Sequence, residues 1–238
     1  MMKRALISIS ILSMLIAQSC VFDLDNGISG SGNVKSEVIN VDGFTGIHAS
    51  SGIDVILSQG DYYVEVIADE NLHEYITVDR EGKILRIGSE KNIYRAESKV
   101  VKVTLPELTD IKISSAGDIE ADTDFKCEDL DISISSAGDL DLDVDAKDIR
   151  ISISSSGDCD LRGTARELKA KLSSAGDLNA FDLEADYVSV SVSSAGDAKV
   201  TANKEIEMSA SSAGNIYYRG DGKVLRSNSS SAGSIIRR

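Results

Sequence analysis

One pentapeptide, Ser-Ser-Ala-Gly-Asp, sets the terms on which this chain can fold. It stands at 114–118, 135–139, 173–177 and 193–197, with variants at 154–158, 211–215 and 230–234. Successive first serines lie 21, 19, 19, 20, 18 and 19 residues apart. A fixed period of this size marks a solenoid, in which each repeat is one coil stacked on the last. The spacing predicts an all-β, single-stranded parallel β-helix of about 19–20 residues per coil.

Each repeat carries the pattern that such a coil needs. Leu130, Ile132 and Ile134 alternate with Asp131, Ser133 and Ser135, and Leu140, Leu142 and Val144 alternate with Asp141 and Asp143. A period of two is the signature of a strand with one buried and one wet face. Counted by twos, the buried series passes through the second serine and the glycine of each pentapeptide. The corner residues are thus Ser115 and Gly117, Ser136 and Gly138, Ser155 and Gly157, Ser174 and Gly176, Ser194 and Gly196, and Ser212 and Gly214. The expectation is a bend whose inner side admits only small residues. The serines would form an internal ladder about 4.8 Å per step, and glycine would supply the torsions of a sharp corner. Repeat lengths differ at 122–129 and 162–167, where loops are expected to project.

The chain opens with Lys3 and Arg4, then an apolar stretch at 5–17 that is too short to span a bilayer. This reads as a signal peptide over 1–19. Ala17-Gln18-Ser19-Cys20 resembles a bacterial lipoprotein cleavage box, although Ala17 and Gln18 depart from its usual pattern. Acylation at Cys20 would anchor the protein to a membrane, in the outer membrane at the cell surface or the periplasmic face. The competing reading is an ordinary secretory signal with an incidental cysteine. The formal net charge is −14; without Lys3 and Arg4 it is −16. Such acidity argues against nucleic acid or anionic lipid as a partner.

Residues 20–32 form the anchor and a Gly- and Ser-rich tether. Residues 33–109 read as an irregular N-terminal part with hairpins, and 110–238 as the regular coils, in one continuous domain over 33–238. Residues 29–34 and 44–55 look like variant corners. Strand, turn and strand are expected at 55–68, and a second hairpin at 76–87. Pro106 is the only proline and ends a strand begun at Lys99. In the last copy Ser227, Asn228 and Ser229 replace the aliphatic row, which suits an open solenoid end.

The arrangement is similar to the head GIN domain family of auto-transporter adhesins, found among Bacteroidetes-type lipoproteins. The likeness rests on Gly30-Ser31-Gly32-Asn33, Ser51-Gly52-Ile53-Asp54 within 44–57, Ser58-Gln59-Gly60, Leu85-Arg86-Ile87 and the pentapeptides. The resemblance implies a right-handed β-helix of the cell envelope. It supplies no catalytic residues, no cofactor and no enzyme role.

Candidate chemistry centres on the column Asp118, Asp139, Asp158, Asp177 and Asp197, with a second outward row of Glu120, Asp141, Asp160 and Asn179. Stacked carboxylates repel unless something relieves them. Calcium is one relief; an Asx turn onto the backbone N–H of the same corner is the other. The turn is favoured, because Asn and Ser replace Asp in the last two copies. The only histidines are His48 and His73, and no nucleophile or phosphate-loop motif occurs. His48 is expected on an exposed strand. Cys127 and Cys159 fall at different places in their coils, which disfavours a bridge. Tyr62, Tyr63, Tyr75 and Tyr94 make the N-terminal part, with the variable loops, the better place for a ligand. The reading is therefore a non-enzymatic envelope lipoprotein, an adhesin-like scaffold for protein or glycan. The alternatives are a carbohydrate-active β-helix with an acidic groove, or a spacer without a ligand.

Overall fold

Aliphatic residues two apart along each repeat bury one face of the strand, and the period of about 19 residues brings the same face back one coil later. The computed structural model describes residues 27–238. Its strands are β1 (Ile28–Ser29), β2 (Val34–Val38), β3 (Gly46–Ala49), β4 (Asp54–Gln59), β5 (Tyr63–Asp69), β6 (Ile76–Glu81), β7 (Ile84–Ser89), β8 (Ile93–Arg95), β9 (Lys99–Leu105), β10 (Asp110–Ser114), β11 (Ile119–Ala121), β12 (Phe125–Ser136), β13 (Leu140–Ser155), β14 (Cys159–Ser174), β15 (Leu178–Ser194), β16 (Asp197–Ser211), β17 (Asn215–Arg219), β18 (Lys223–Ser230) and β19 (Ser234–Arg237). From β10 onward each pairs in parallel with the next coil, which makes a β-solenoid. The proposed signal segment and Cys20 lie outside the described residues.

The stacking registers like with like. One buried column runs Ile111, Ile132, Ile151, Ala170, Val190 and Met208 before ending on Ser227. A second runs Ile113, Ile134, Ile153, Leu172, Val192 and Ala210 before ending on Ser229. Burying one such aliphatic side chain contributes about 1.5–3 kcal/mol, so the columns are the main force holding coil on coil.

Stack order departs from chain order at the N-terminal end. The coil β3–β4 lies directly beneath β10–β11, with Ile47 under Ile111 and Val55 under Ile119. Beneath it lie β7 and β9, also parallel. The variant corner at 50–53 is therefore a true coil of the stack. Residues 29–34 are not. Gly30–Asn33 instead wraps the turn after β5: Ser31 N–H donates to Asn71 Oδ1 and Gly32 N–H to Asp69 Oδ2. A 3-10 turn at Glu70–Leu72 follows β5. The hairpin at 76–87 forms as β6 and β7. The strands β4 and β5 form but do not pair with each other. β9 lies between them, parallel to β4 and antiparallel to β5. With β2 on the far side of β5, antiparallel strands close this end of the core.

Of the two places where repeat lengths differ, 122–124 is a short exposed break between β11 and β12, while 162–167 carries no loop. β13 to β15 run unbroken for 16, 16 and 17 residues across that side. Extra residues are absorbed as bulges, such as the shift between Ala180 and Glu184. A bulge keeps the ladder on both sides of it and adds only local twist.

Candidate functional site

The corners are structural, and their geometry differs from the simple inward count. Ser115, Ser136, Ser155, Ser174, Ser194 and Ser212 are all exposed. Each holds a left-handed backbone, with φ between 54° and 88°. That torsion swings the second serine out of the alternation, so no internal serine ladder exists. The first serines make the side-chain contacts instead: Ser135 Oγ donates to Ile113 O, and Ser193 Oγ to Leu172 O, both at 3.3 Å. The second serine serves through its carbonyl, which accepts the next coil's N–H from Ser156, Ala175 and Ala195. The glycines are buried for a different reason. A Cβ on Gly176 would sit 2.6 Å from Gly157 O, and one on Gly157 2.5 Å from Gly138 O. Close approach, rather than torsion, demands glycine there.

The aspartate column is relieved between coils, not within one corner. Asp118 Oδ1 accepts from Asp139 N–H, Asp139 from Asp158, Asp158 from Asp177, and Asp177 from Asp197, over 2.8–3.3 Å. Asp54 begins the column and the Asn215 amide ends it, donating to Asp197 Oδ1 at 2.7 Å. Partial burial, then neighbouring carboxylates, push Asp118 and Asp158 above their ordinary range, against the N–H each accepts. Among the described residues no group of three or more His, Cys, Asp or Glu is arranged to hold a metal ion. In the second outward row Arg162 forks onto Asp141 and Asp143 of the coil below, a bidentate use that guanidinium geometry favours.

Surface recesses interrupt this regular wall. The first, of about 310 Å³, includes His48, Arg86, Lys112 and Ser114. His48 Nε2 lies 2.6 Å from Asp110 Oδ1, and the ring is mostly covered rather than exposed. The pair is invisible at 62 residues' separation until β3 is seen to stack on β10. The parallel run of Phe44-Thr45 and Leu108-Thr109, each opening an alternating strand, was the available signal. Nothing nearby completes a nucleophilic site. Ser50, Ser51 and Ser114 hydroxyls donate to the carbonyls of Ile87, Ser89 and Ala49, and Arg86 pairs with Glu81.

The second recess, about 480 Å³, lies in the N-terminal cap between Val38, Val41, Tyr62, Tyr63 and Arg80. It includes two of the four N-terminal tyrosines. Tyr62 is held by its hydroxyl on Phe44 O, while Tyr63 is 42% exposed. Tyr75 packs under Lys91, outside this recess. The third recess, about 430 Å³, lies toward the C-terminal coils and includes Arg166, Lys169, Tyr187, Glu205, Glu207 and Leu225. Leu225 is the bulged residue opposite Ile206 and Glu207. Cys127 and Cys159 are both free. Burial pushes the Cys127 thiol up to about 11 and Cys159 further still, so neither is a ready nucleophile.

Solved structures share this architecture. A "putative adhesin" from Bacteroides fragilis superposes with a TM-score of 0.82 at 22% identity, over 89% of this chain and 100% of that one. A "putative lipid binding protein" from Parabacteroides distasonis gives 0.74 at 21%, over 89% and 99%. A "putative adhesin" from Parabacteroides merdae gives 0.70 at 23%, over 90% and 99%. At these identities the likeness is one of fold. No match was found among curated proteins. The family model described as "Putative auto-transporter adhesin, head GIN domain" matches residues 43–222, which takes in β3 through β17, and the chain belongs to that family.

Proposed function

We propose that this protein is a non-enzymatic, adhesin-like scaffold of the cell envelope, tethered through an acylated Cys20. On this reading it meets a protein ligand at the end away from the tether. One observation carries the reading. Along the middle coils many charged side chains are paired with their neighbours, as in the Asp column and the Arg162 fork. Exposed large apolar side chains occur instead at the two ends: Val34, Val38, Tyr63 and Tyr94 at one, and Tyr187, Val224, Leu225 and Ile236 at the other. The C-terminal recess combines Tyr187 and Leu225 with charges of both signs. That mixture suits a protein segment better than a glycan, which would want several stacking rings. The even ladder offers no singular acidic cleft, which counts against the carbohydrate-active alternative.

The test is capture of envelope or host surface proteins on the full-length protein, with protease accessibility measured on intact cells. Tyr187→Ala with Leu225→Ser is expected to lower capture at least about fivefold with the melting midpoint unchanged, as loss of two central contacts does. Complete shielding from protease in intact cells would remove adhesion.

A further inference from the structure

We infer that the outer wall of the N-terminal cap lies against a lipid surface, so the solenoid is seated on the membrane rather than merely leashed to it. This inference rests on the tether reading above. The wall is built from four strands in register. Val34, Ser36 and Val38 share one face of β2, and Ser36 stands opposite Ile67. Ile67 stands opposite Val100, and Tyr63 opposite Thr104. Ile56 of β4 lies beside Lys102 of β9 on the same outer face. Val34, Val38 and Tyr63 are 40%, 51% and 42% exposed, and Ile56, Ile67 and Val100 are half-buried.

Charge sorts this stretch from the rest of the wall. Its two central charges, Glu65 and Lys102, face each other in register. Asp54, at the margin, is paired with Lys99 at 3.8 Å. The next positions beyond Ile56 are Glu120, Asp141 and Asp160, an acidic run. In a chain of net charge −14 the apolar stretch is the part that could approach headgroups without a large electrostatic cost. An aromatic ring beside aliphatic side chains is the mixture favoured at the membrane–water boundary.

Chain length fixes which surface can reach it. From Cys20 to Gly27 is seven residues, at most about 25 Å of extended chain. The chain enters the fold through β1, paired with β8, and passes from there to this wall. Gly30–Asn33 is held by Asp69, the last residue of β5, whose Tyr63 and Ile67 are in the wall. β2 follows directly. An acyl anchor at Cys20 would keep the wall within a short tether of the bilayer. A second copy pairing along the β2 edge is disfavoured: Lys35 and Glu37 alternate with the valines, and charges on an edge strand oppose such pairing.

The chain contains no Trp, so a single introduced Trp reports its own surroundings. Val38→Trp, Val34→Trp and Tyr63→Trp, with Tyr217→Trp as control, are placed in the full-length acylated protein. Each is reconstituted into phosphatidylcholine vesicles with and without brominated acyl chains. Quenching of about twofold or more at the three wall positions, and none at Tyr217→Trp, is the expected result for side chains at the interface. Mass spectrometry of the N-terminal peptide reads the Cys20 acylation separately. Acylated protein without wall quenching overturns the seating and leaves the tether standing. Wall quenching without the acyl mass supports the seating and overturns the tether. A blue-shifted, unquenched Trp together with a dimer mass would assign the wall to a second copy and overturn the inference.

Discussion

At Ser155 the backbone holds φ of 80°, a torsion that costs an L-residue about 1–2 kcal/mol, while Gly157 two residues on needs no unusual torsion. The usual exchange between these residues is therefore reversed. Ser155→Gly removes the left-handed cost and adds chain entropy to the unfolded state; the net expectation is stability unchanged or raised by up to about 1 kcal/mol. Gly157→Ala drives a methyl to 2.5 Å from Gly138 O and Ile134 Cγ2, with an expected loss of about 1–3 kcal/mol in urea unfolding. The corner's position was legible from its period, but its handedness was not. Serine is no marker of a left-handed torsion, and counting by twos assumes every residue is extended. Asp69 makes a second residue-scale case. Burial alone would raise its carboxyl, but N–H groups of Gly32, Glu97 and Ser98 outweigh that and hold it below its ordinary value. A depressed carboxylate contributes stability above its unfolded pKa and loses it as pH falls through the folded one. Asp69→Ala should therefore lower the melting midpoint at neutral pH, and its gap from the unsubstituted protein should close as the solution is acidified toward pH 2–3, about the lower end of carboxylate titration.

The Asp column acts as an element, because each member accepts from the next coil rather than from its own. Asn215 shows how the repulsion is ended: its amide donates to Asp197 where another carboxylate would only accept. Asp158→Asn keeps an oxygen for Asp177 N–H and gains that donor toward Asp139. Burial and neighbouring carboxylates raise Asp158, so its charge weakens the fold at neutral pH and the weakness vanishes once it is protonated. The substitution should add stability at pH 7, about 0.5 kcal/mol because the exposed carboxylate is screened, and nothing at pH 3. Melting in excess chelator and in excess calcium should give equal midpoints, since the facing carboxylate oxygens are already taken by N–H groups. A midpoint raised in calcium would restore the metal reading. The N-terminal elements were less legible than this column. Each of β4, β5 and β9 could be read as a strand, yet the insertion of β9 between the other two depends on contacts some forty residues apart. His48 and Asp110 were hidden by the same out-of-order stacking. Local alternation says that a strand exists, whereas its partner is fixed only by which buried row it completes.

Taken as one molecule, the solenoid must end without inviting another coil. At the N-terminal end antiparallel strands cover the stack. At the C-terminal end β18 lies open, all eight of its residues exposed. Two core columns stop there on polar groups, Ser227 over Met208 and Ser229 over Ala210. The bulge at Leu225 also distorts the edge, which hinders pairing with a further strand. Both devices are local, and they protect a row of unpaired backbone groups along an otherwise regular sheet. Restoring the aliphatic rows with Ser227→Val and Ser229→Val would continue the core to the surface while leaving the edge backbone open. An apolar face beside a free edge is a template for a second chain. Sedimentation should then show a mass that rises with concentration in the double variant and not in the unsubstituted protein, while Ser227→Asn with Ser229→Thr behaves like the latter. Equal masses for all three would mean that the bulge alone, rather than the serines, keeps the end of the coil closed to its neighbours.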